Sequence, residues 1–164
     1  MKQLLVIRHA KSSWAEPLQK DFDRPLNERG HKDAPKMARR LLEKNIAIDA
    51  FISSTAKRAL TTAVYFAKEY GLAEKHIHKL PELYHAGTDV FTEVIQNTAD
   101  HLNSIAIFSH NPGITSFANL LSSASIDNMP TCGIFAVRAP VTKWADFFTA
   151  EKEFWFFDYP KLPG

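Results

Sequence analysis

Leu4-Leu5-Val6-Ile7, followed at once by Arg8-His9, is the stretch of sequence that indicates the fold. An apolar run without polar alternation is typical of a β-strand that is buried on both of its faces. Such strands occur in parallel sheets, which helices cover on both sides. The run therefore predicts a central strand of an α/β sheet, with Arg8 and His9 at its carboxyl end.

Strand and helix patterns alternate along the rest of the chain. This alternation is typical of a three-layer α/β sandwich with a mostly parallel central sheet and helices on both faces. A length of 164 residues suits one domain, which we expect to cover residues 1–164. Helical apolar spacing occurs at 34–42, 59–70 and 90–95 and after 112, and strand-like runs occur at 50–52, 76–80, 104–108, 134–137 and 154–157.

Two prolines bear on where the helices begin. Asn111 is predicted to cap a helix whose first residue is Pro112, because proline is favoured at the first helical position. Pro35 either lies in the first turn of its helix or interrupts it, and the sequence leaves both possibilities open.

The composition gives no sign of a nucleic-acid or membrane partner. Apolar residues make up 45% and charged residues 23%, and the formal net charge is only +2, without blocks of like charge. No apolar stretch approaches the roughly 20 residues of a membrane-spanning helix, and the short first run does not resemble a signal peptide. Cys132 is the only cysteine and is expected to be a buried, inert thiol. We therefore expect a cytoplasmic protein.

Cationic and imidazole side chains follow three of the predicted strands. Arg8-His9 follows the first strand, Arg58 lies in the first turn of the helix after 50–52, and His110 follows 104–108. Ligand sites of open α/β sheets lie beyond the carboxyl ends of the strands, so these side chains should converge. Arginine forks and helix N-termini bind phosphate oxygens. Each residue alone would have an ordinary structural explanation, but together they predict a site for a phosphoryl group.

Five motifs occur in a fixed order along the chain: Arg8-His9-Ala10, Arg24-Pro25-Leu26-Asn27-Glu28-Arg29-Gly30, the run from Ser53 to Ala63 that contains Arg58, Pro81-Glu82-Leu83, and Ser109-His110. Together they resemble the motifs of the histidine phosphatase superfamily, which includes phosphoglycerate mutases and acid phosphatases. Within that superfamily the chain is most similar to the small SixA-type phosphohistidine phosphatases. The resemblance covers essentially the whole chain and implies a phosphoglycerate mutase-like fold.

The resemblance implies that His9 is the nucleophile that attacks phosphorus and forms a transient phosphohistidine. It also implies that Arg8, Arg58 and His110 hold the nonbridging oxygens and balance the charge. A neutral imidazole suits attack at neutral pH, since its ordinary pKa is near ~6.5. Phosphoryl transfer depends mainly on in-line positioning and electrostatic stabilisation. Because arginines supply positive charge, neither a metal nor another cofactor is expected, and water would hydrolyse the phosphohistidine.

Two positions leave questions open. Ala10 stands where many relatives have glycine, which narrows the backbone conformations available beside His9. Glu82 matches the position of the proton donor in many members of the superfamily, yet an ordinary surface glutamate explains it equally. The resemblance to SixA-type members implies less dependence on such an acid, because the imidazole released from a phosphoramidate is readily protonated.

Four further residues are candidates for contact with the substrate: Arg24, Lys11, Ser13 and His85. The first either positions the substrate or pairs with Asp21 or Asp23, and we favour the pairing. The two that follow the nucleophile either line the pocket or belong to a solvated loop, and the histidine lies in the loop beside Glu82, from which it is able to reach the rim of the pocket. His76 and His78 lack the cysteine or carboxylate partners of a metal site.

The spacing of the motifs predicts an open site. Only about one helix separates the Glu82 loop from the strand before His110, whereas larger superfamily members carry insertions that roof the site. An open pocket admits a phosphorylated side chain of another protein and grips small esters poorly. The sequence therefore favours a protein phosphohistidine phosphatase. The alternatives are a phosphatase of a small phosphomonoester, such as a sugar phosphate, and a phosphate-binding module without catalysis.

Overall fold

The computed structural model describes residues 1–163, and each strand and helix predicted from the sequence has a counterpart in it. The strands are β1 (Lys2–Arg8), β2 (Ala50–Ser53), β3 (Ile77–Lys79), β4 (Ser104–Ser109), β5 (Ile134–Ala139) and β6 (Glu153–Asp158). The helices are α1 (Glu28–Glu43), α2 (Lys57–Glu69), α3 (Thr88–Gln96) and α4 (Gly113–Leu121). Short 3₁₀ turns occur at Asp21–Asp23, Glu74–His76, Pro81–Leu83 and Trp144–Asp146.

The strands form one six-stranded sheet in the order β3-β2-β4-β1-β5-β6. β1, β2, β3 and β4 are parallel to one another, whereas β5 pairs antiparallel with both β1 and β6. Arg8 lies opposite Ser109 in the pairing of β1 with β4, and Ser53 lies opposite Phe108 in the pairing of β2 with β4. The three strands therefore end together at one edge of the sheet. The expectation of a mostly parallel α/β sheet is confirmed.

Alternate residues of β1 pack into two different cores, which explains why its apolar run is uninterrupted. Leu4 and Val6 belong to the core on one face of the sheet, which includes side chains of α3 and α4. Leu5 and Ile7 belong to the core on the other face, which includes side chains of α1 and α2. All four side chains are fully buried, and each burial contributes roughly 1.5–3 kcal/mol. The strand that leads to His9 is thus anchored on both faces of the sheet.

α1 begins before its apolar stripe. The Asn27 side chain caps the helix by accepting a hydrogen bond from the N–H of Gly30 at 2.9 Å. Pro35 lies well inside α1 and does not interrupt it, so both expectations for this residue are wrong. A Cβ on Gly30 would lie 2.2 Å from the carbonyl oxygen of Lys11, so glycine permits the helix to approach the segment after His9.

The predicted cap of α4 is wrong as well. α4 begins at Gly113, and Pro112 is its N-cap residue. The Asn111 side chain accepts a hydrogen bond from the Thr115 hydroxyl at 2.5 Å and donates one to Asn128 Oδ1 at 2.8 Å. Asn111 is therefore occupied by side-chain partners, and the Asn111–Pro112 peptide bond is cis.

β3 and β6 are the two edge strands of the sheet. β6 carries the aromatic run Phe154-Trp155-Phe156-Phe157. Within this run, only the Phe154 side chain is exposed. The other three are half-buried against the two cores, as expected of a packed final strand. Over residues 1–163, every helix is too short or too polar to cross a membrane.

Candidate active site

The parallel strands bring the predicted site residues together at one edge of the sheet. Arg8 is the last residue of β1 and His9 follows it, while His110 follows β4. The N–H of His9 donates to the carbonyl of Ser109 at 3.1 Å, so the two histidine-bearing segments lie side by side. The ring centroids of His9 and His110 are 5.2 Å apart. Arg58 lies in the first turn of α2, as predicted.

Main-chain hydrogen bonds hold the segment that carries His9. The N–H of Ala10 donates to Thr62 Oγ1 at 3.0 Å, and the Thr62 hydroxyl donates to the carbonyl of Arg58 at 2.8 Å. The N–H of Cys132 donates to the carbonyl of His9 at 3.0 Å. The backbone on both sides of the ring is therefore fixed by α2, by β4 and by the segment that precedes β5.

The His9 ring is buried and has one free nitrogen. Its Nδ1 lies 2.7 Å from the carbonyl oxygen of Ala10. A carbonyl only accepts hydrogen bonds, so Nδ1 carries the proton and Nε2 keeps its lone pair. Burial is the main cause that lowers the pKa of His9 to about 3. The Ala10 hydrogen bond opposes this shift, and three arginines (Arg8, Arg58 and Arg24) add to it. The ring is neutral at neutral pH, as a nucleophile requires.

His110 presents a second neutral imidazole. Its Nε2 lies 2.8 Å from Ser54 Oγ, and its Nδ1 is buried without a hydrogen-bond partner. Burial is the main cause that lowers the pKa of His110 to about 3, and the neighbouring His9 and Arg58 contribute to this shift. The Tyr84 ring packs edge-on against His110 with the centroids 5.5 Å apart. Nδ1 therefore remains available to a ligand.

Arg8 and Arg58 are held by different partners. Arg8 Nη1 donates to the carbonyl of Met129 at 2.8 Å, whereas its Nε is buried without a partner. Burial lowers the pKa of Arg8, and the charge of Arg58 lowers it further. Arg58 Nη1 donates to the Asp21 carbonyl at 2.6 Å, and Arg58 Nη2 donates to the Asp21 carboxylate at 3.0 Å. The guanidinium groups of Arg8 and Arg58 are thus close enough to repel each other.

Asp21 joins three side chains of the site into one network. Its Oδ1 accepts from Arg24 Nη1 at 3.0 Å, and its Oδ2 accepts from Arg58 Nη2 at 3.0 Å and from the Tyr84 hydroxyl at 2.6 Å. The Tyr84 hydrogen bond is the largest cause that lowers the pKa of Asp21 to about 2, and the two arginines add to it. Asp21 is therefore ionised. The favoured pairing of Arg24 is present, with Asp21 rather than Asp23 as the partner.

Buried polar atoms without partners are concentrated in this site. Of the four such side-chain atoms among the described residues, three are Arg8 Nε, Arg24 Nε and His110 Nδ1. Buried polar groups are nearly always paired, and each unpaired one costs about 1–3 kcal/mol. Arginine N–H groups and an imidazole nitrogen beside a neutral His9 suit a group with several acceptor oxygens, such as a phosphoryl group.

Glu82 lies in the Pro81–Leu83 turn that follows β3. It is exposed and lines a cavity of about 490 Å³ between β2, β3 and α3, beside His78 and Glu93. Among the described residues, those that line this cavity do not include His9, His110, Arg8 or Arg58. The role of Glu82 as a proton donor stays a prediction.

The other predicted contact residues lie at the rim. His85 is exposed, its ring lies 3.9 Å from the Tyr84 ring between centroids, and it lines a cleft of about 400 Å³ with His110 and the start of α4. Lys11 is exposed and Ser13 is half-buried. Their contact with a substrate stays a prediction.

Four residues of the site were not predicted from the sequence: Ser54, Thr62, Tyr84 and Met129. Asp21 was predicted only as a possible partner of Arg24. Ser54 and Thr62 lie inside the motif that contains Arg58, so the motif itself was a signal for them. Asp21, Tyr84 and Met129 enter from irregular segments, where no periodic pattern assigns a position.

The remaining cysteine and histidine predictions concern metal and redox chemistry. Burial raises the pKa of the Cys132 thiol, which fits the predicted inert thiol. His76 lies in a 3₁₀ turn rather than on β3 with His78. In the described part of the chain, groups of three or more His, Cys, Asp or Glu side chains placed to hold a metal ion do not occur.

Comparison with known proteins relates the chain to one family. The family model of the histidine phosphatase superfamily (branch 1) matches residues 4–93. An uncharacterized chloroplastic protein of Arabidopsis thaliana is 32% identical over 155 residues, which cover 90% of this chain and 71% of the relative.

Solved structures share the fold over nearly the whole chain. The protein histidine phosphatase SixA, complexed with tungstate, has a TM-score of 0.80 at 21% identity and covers 96% of this chain and 97% of its own. A mycobacterial glucosyl-3-phosphoglycerate phosphatase has a TM-score of 0.66 at 13% identity and covers 97% of this chain and 98% of its own. At these identities the likeness establishes the phosphoglycerate mutase-like fold.

Proposed function

Because the chain belongs to the histidine phosphatase superfamily, we propose that it removes phosphoryl groups from phosphohistidine side chains of other proteins, with His9 as the nucleophile. Family membership and the SixA-like fold support phosphatase activity. The phosphohistidine substrate and the roles of individual residues are the further steps of the proposal. We also propose that residues 1–164 act as one domain, since a single sheet with a core on each face accounts for the elements described.

One observation carries the proposal: a neutral, buried imidazole with a free Nε2 lies beside buried arginine and histidine nitrogens that lack partners. His9 has its proton on Nδ1 and a pKa lowered to about 3. Arg8 Nε, Arg24 Nε and His110 Nδ1 are buried and unpaired. A tetrahedral oxyanion supplies acceptors for such donors and places its central atom next to a nucleophile.

The reaction proceeds in two displacements. His9 Nε2 attacks phosphorus, a bond forms between them, and the bond from phosphorus to the substrate imidazole breaks. The departing imidazole keeps the electron pair of that bond and takes up a proton. Water then attacks the phosphohistidine on His9, the second phosphorus–nitrogen bond breaks, and inorganic phosphate leaves. Free His9 is regenerated with its proton on Nδ1.

Arg8, Arg58 and His110 stabilise the nonbridging oxygens during both displacements. Arginine donors act where negative charge accumulates, and a buried site makes each of them more effective than in water. No step of the proposed reaction requires a metal ion. Glu82 is a proposed proton donor for the first displacement, but an imidazole leaving group is basic enough to be protonated without it.

The substrate is inferred from the openness of the site. α3 is only 9 residues long and, with its flanking loops, is all that lies between the Pro81–Leu83 turn and β4, so no inserted domain covers the site. A phosphorylated side chain on a protein surface can reach such a site. The likeness to SixA is also greater than that to the glucosyl-3-phosphoglycerate phosphatase, with TM-scores of 0.80 and 0.66. A small phosphomonoester remains the second candidate, because the latter protein acts on one.

The test measures phosphate released from a protein that carries phosphohistidine, in buffer with EDTA. Wild type is compared with His9→Ala and with the matched control His101→Ala, since His101 is exposed and lies in a turn. We expect His9→Ala to lose activity by at least about a thousandfold, as when a nucleophile is removed, and the control to retain it. Circular dichroism verifies that each variant is folded.

The outcomes separate the candidate functions. Substantial release by folded His9→Ala would remove His9 as the nucleophile. A clear preference of wild type for sugar phosphates over the phosphoprotein would establish the second candidate. Retained oxyanion binding without release from any substrate would identify a phosphate-binding module.

A further inference from the structure

Three large apolar side chains are exposed on one segment beside the candidate active site. Trp14 is 75% exposed, Leu18 is 98% exposed and Phe22 is 38% exposed. They are three of the seven exposed large apolar side chains in the described part of the chain. All three lie on residues 14–22, which we call the rim segment. Clustered exposed apolar side chains mark interaction surfaces more often than single ones do.

Two of these side chains contact residues of the site directly. The guanidinium carbon of Arg24 lies 3.4 Å from the centroid of the Trp14 ring, so the arginine that binds Asp21 also stacks on the tryptophan. The Phe22 ring packs edge-on against Tyr84 with the centroids 5.1 Å apart. The apolar surface is therefore continuous with the polar network around the candidate nucleophile.

The rim segment is held in shape at its base and at its tip. An antiparallel bridge between Ser12 and Leu26 closes the base. At the tip, the N–H of Gln19 donates to the carbonyl of Glu16 at 3.2 Å, which closes a turn with Leu18 at one of its two central positions. Leu18 is thus presented to solvent on an ordered turn, and little conformational entropy is lost when a partner covers it.

We infer that the rim segment is the docking surface for the folded protein that carries the phosphohistidine. The inference rests on the proposed function, because the occupant must place its phosphorylated side chain at His9. The partner surface that it fits is an apolar patch beside that side chain. A small ester bound at His9 would leave Leu18 uncovered, since a side chain at the tip of a turn is covered only by an extended surface. Burying Trp14 and Leu18 gives the complex its affinity, as aromatic anchors do in other interfaces.

The experiment compares a large and a small substrate of the same chemistry. The large one is a folded protein that carries phosphohistidine, and the small one is phosphohistidine as the free amino acid. The variants are Trp14→Ser and Leu18→Ser. Leu120→Ser is the matched control, because Leu120 is 65% exposed on α4.

We expect the two variants to lower kcat/KM for the phosphoprotein and not for the free amino acid. Trp14→Ser lowers kcat/KM for the phosphoprotein by about tenfold, equivalent to about 1.4 kcal/mol, and Leu18→Ser lowers it by about threefold to fivefold. Both losses appear in KM. With the free amino acid, kcat/KM of Leu18→Ser stays within about twofold of wild type. Leu120→Ser matches wild type on both substrates.

Each other outcome overturns the docking surface in a recognisable way. Equal losses on both substrates would show that the side chains act on catalysis, and unchanged KM for the phosphoprotein would show that they do not bind it. A wild-type dimer that Leu18→Ser dissociates would show that a second copy of the chain covers the rim segment. If wild type hydrolyses the free amino acid but not the phosphoprotein, the proposed protein substrate fails along with its docking surface.

Discussion

Two carboxylates in this molecule each bind two cations, and they differ in how completely those cations are satisfied. Asp158, at the end of β6, binds Arg40 at 2.9 Å and Lys44 at 3.7 Å. Its side chain is only 6% exposed. Arg40 also donates hydrogen bonds to the carbonyls of Tyr159 and Pro160, at 3.1 and 3.3 Å. This network joins α1 to the end of the sheet. We call it the closed cluster, because its cations are paired, and we call the network around Asp21 the open cluster.

Asp21 lies in the opposite situation. Its side chain is 44% exposed, and it binds Arg24 and Arg58 at 3.0 Å each. Arg24 Nε and the nearby Arg8 Nε are nevertheless buried without partners. The presence of ion pairs alone therefore does not distinguish a structural ion cluster from a binding site. Buried donors without partners do distinguish the two, because burying them lowers the stability of the fold.

The largest expected effect comes from removing one arginine from each cluster. Arg58→Ala is expected to lower kcat by about 10²–10³-fold, as the loss of a transition-state donor does, with little change in the free energy of unfolding. Arg40→Ala is expected to leave kcat unchanged and to lower the free energy of unfolding by about 3 kcal/mol, because the buried Asp158 then keeps only the longer contact with Lys44. Steady-state kinetics and urea unfolding measure the two effects, and the reverse pattern would contradict the comparison.

Acid should weaken the molecule through the histidines beside the open cluster. The pKa values of His9 and His110 are lowered to about 3 in the folded protein, from about 6.5 in an unfolded chain. Between these values the unfolded state binds more protons, so stability is full above about pH 6.5 and falls as the pH decreases towards 3. Each ring contributes on the order of a few kcal/mol over this range.

Urea unfolding between pH 7 and pH 4 measures this loss. His9→Asn and His110→Asn should each make the free energy of unfolding less dependent on pH, whereas the exposed His101→Asn should retain the dependence of wild type. Identical dependence in all three variants would mean that the two site rings are not held neutral by burial.

The smallest expected effect concerns the carboxylate of the open cluster. Asp21→Asn removes a negative charge that neutralises Arg24 and Arg58. Inorganic phosphate, measured as a competitive inhibitor, is therefore expected to bind roughly threefold to tenfold more tightly. Asp23→Asn on the same 3₁₀ turn is the control and should leave the inhibition constant unchanged. Weaker binding by Asp21→Asn would show that Asp21 mainly orients the arginines.

The sequence was sufficient to predict the parallel half of the sheet and the residues at its edge. The continuous apolar run of β1 requires cover on both faces, and parallel strands must end together. These two facts bring His9, Arg58 and His110 together without knowledge of any contact. The antiparallel direction of β5 was not predicted, because its branched and aromatic residues suit either direction.

The rest of the site depends on contacts between residues that are distant in sequence. Asp21 and Tyr84 are separated by 63 positions and meet through a hydrogen bond from hydroxyl to carboxylate, which no local pattern encodes. The helix starts were wrong for a different reason, because both were argued from a proline. Pro35 lies inside α1, which begins at Glu28 behind the Asn27 cap, and Pro112 is the N-cap residue of α4 rather than its first helical residue.

The bridge between Ser12 and Leu26 has a consequence for how such a protein can diversify. It joins the chain on either side of the rim segment, three residues after His9. The entropy of closing a loop grows only with the logarithm of its length, by about 0.6 kcal/mol for each doubling. The part of this segment before Asp21 can therefore change in length or sequence while His9 and the Asp21 network stay in place. If the rim segment binds the phosphoprotein, a new specificity can arise there without a new chemistry.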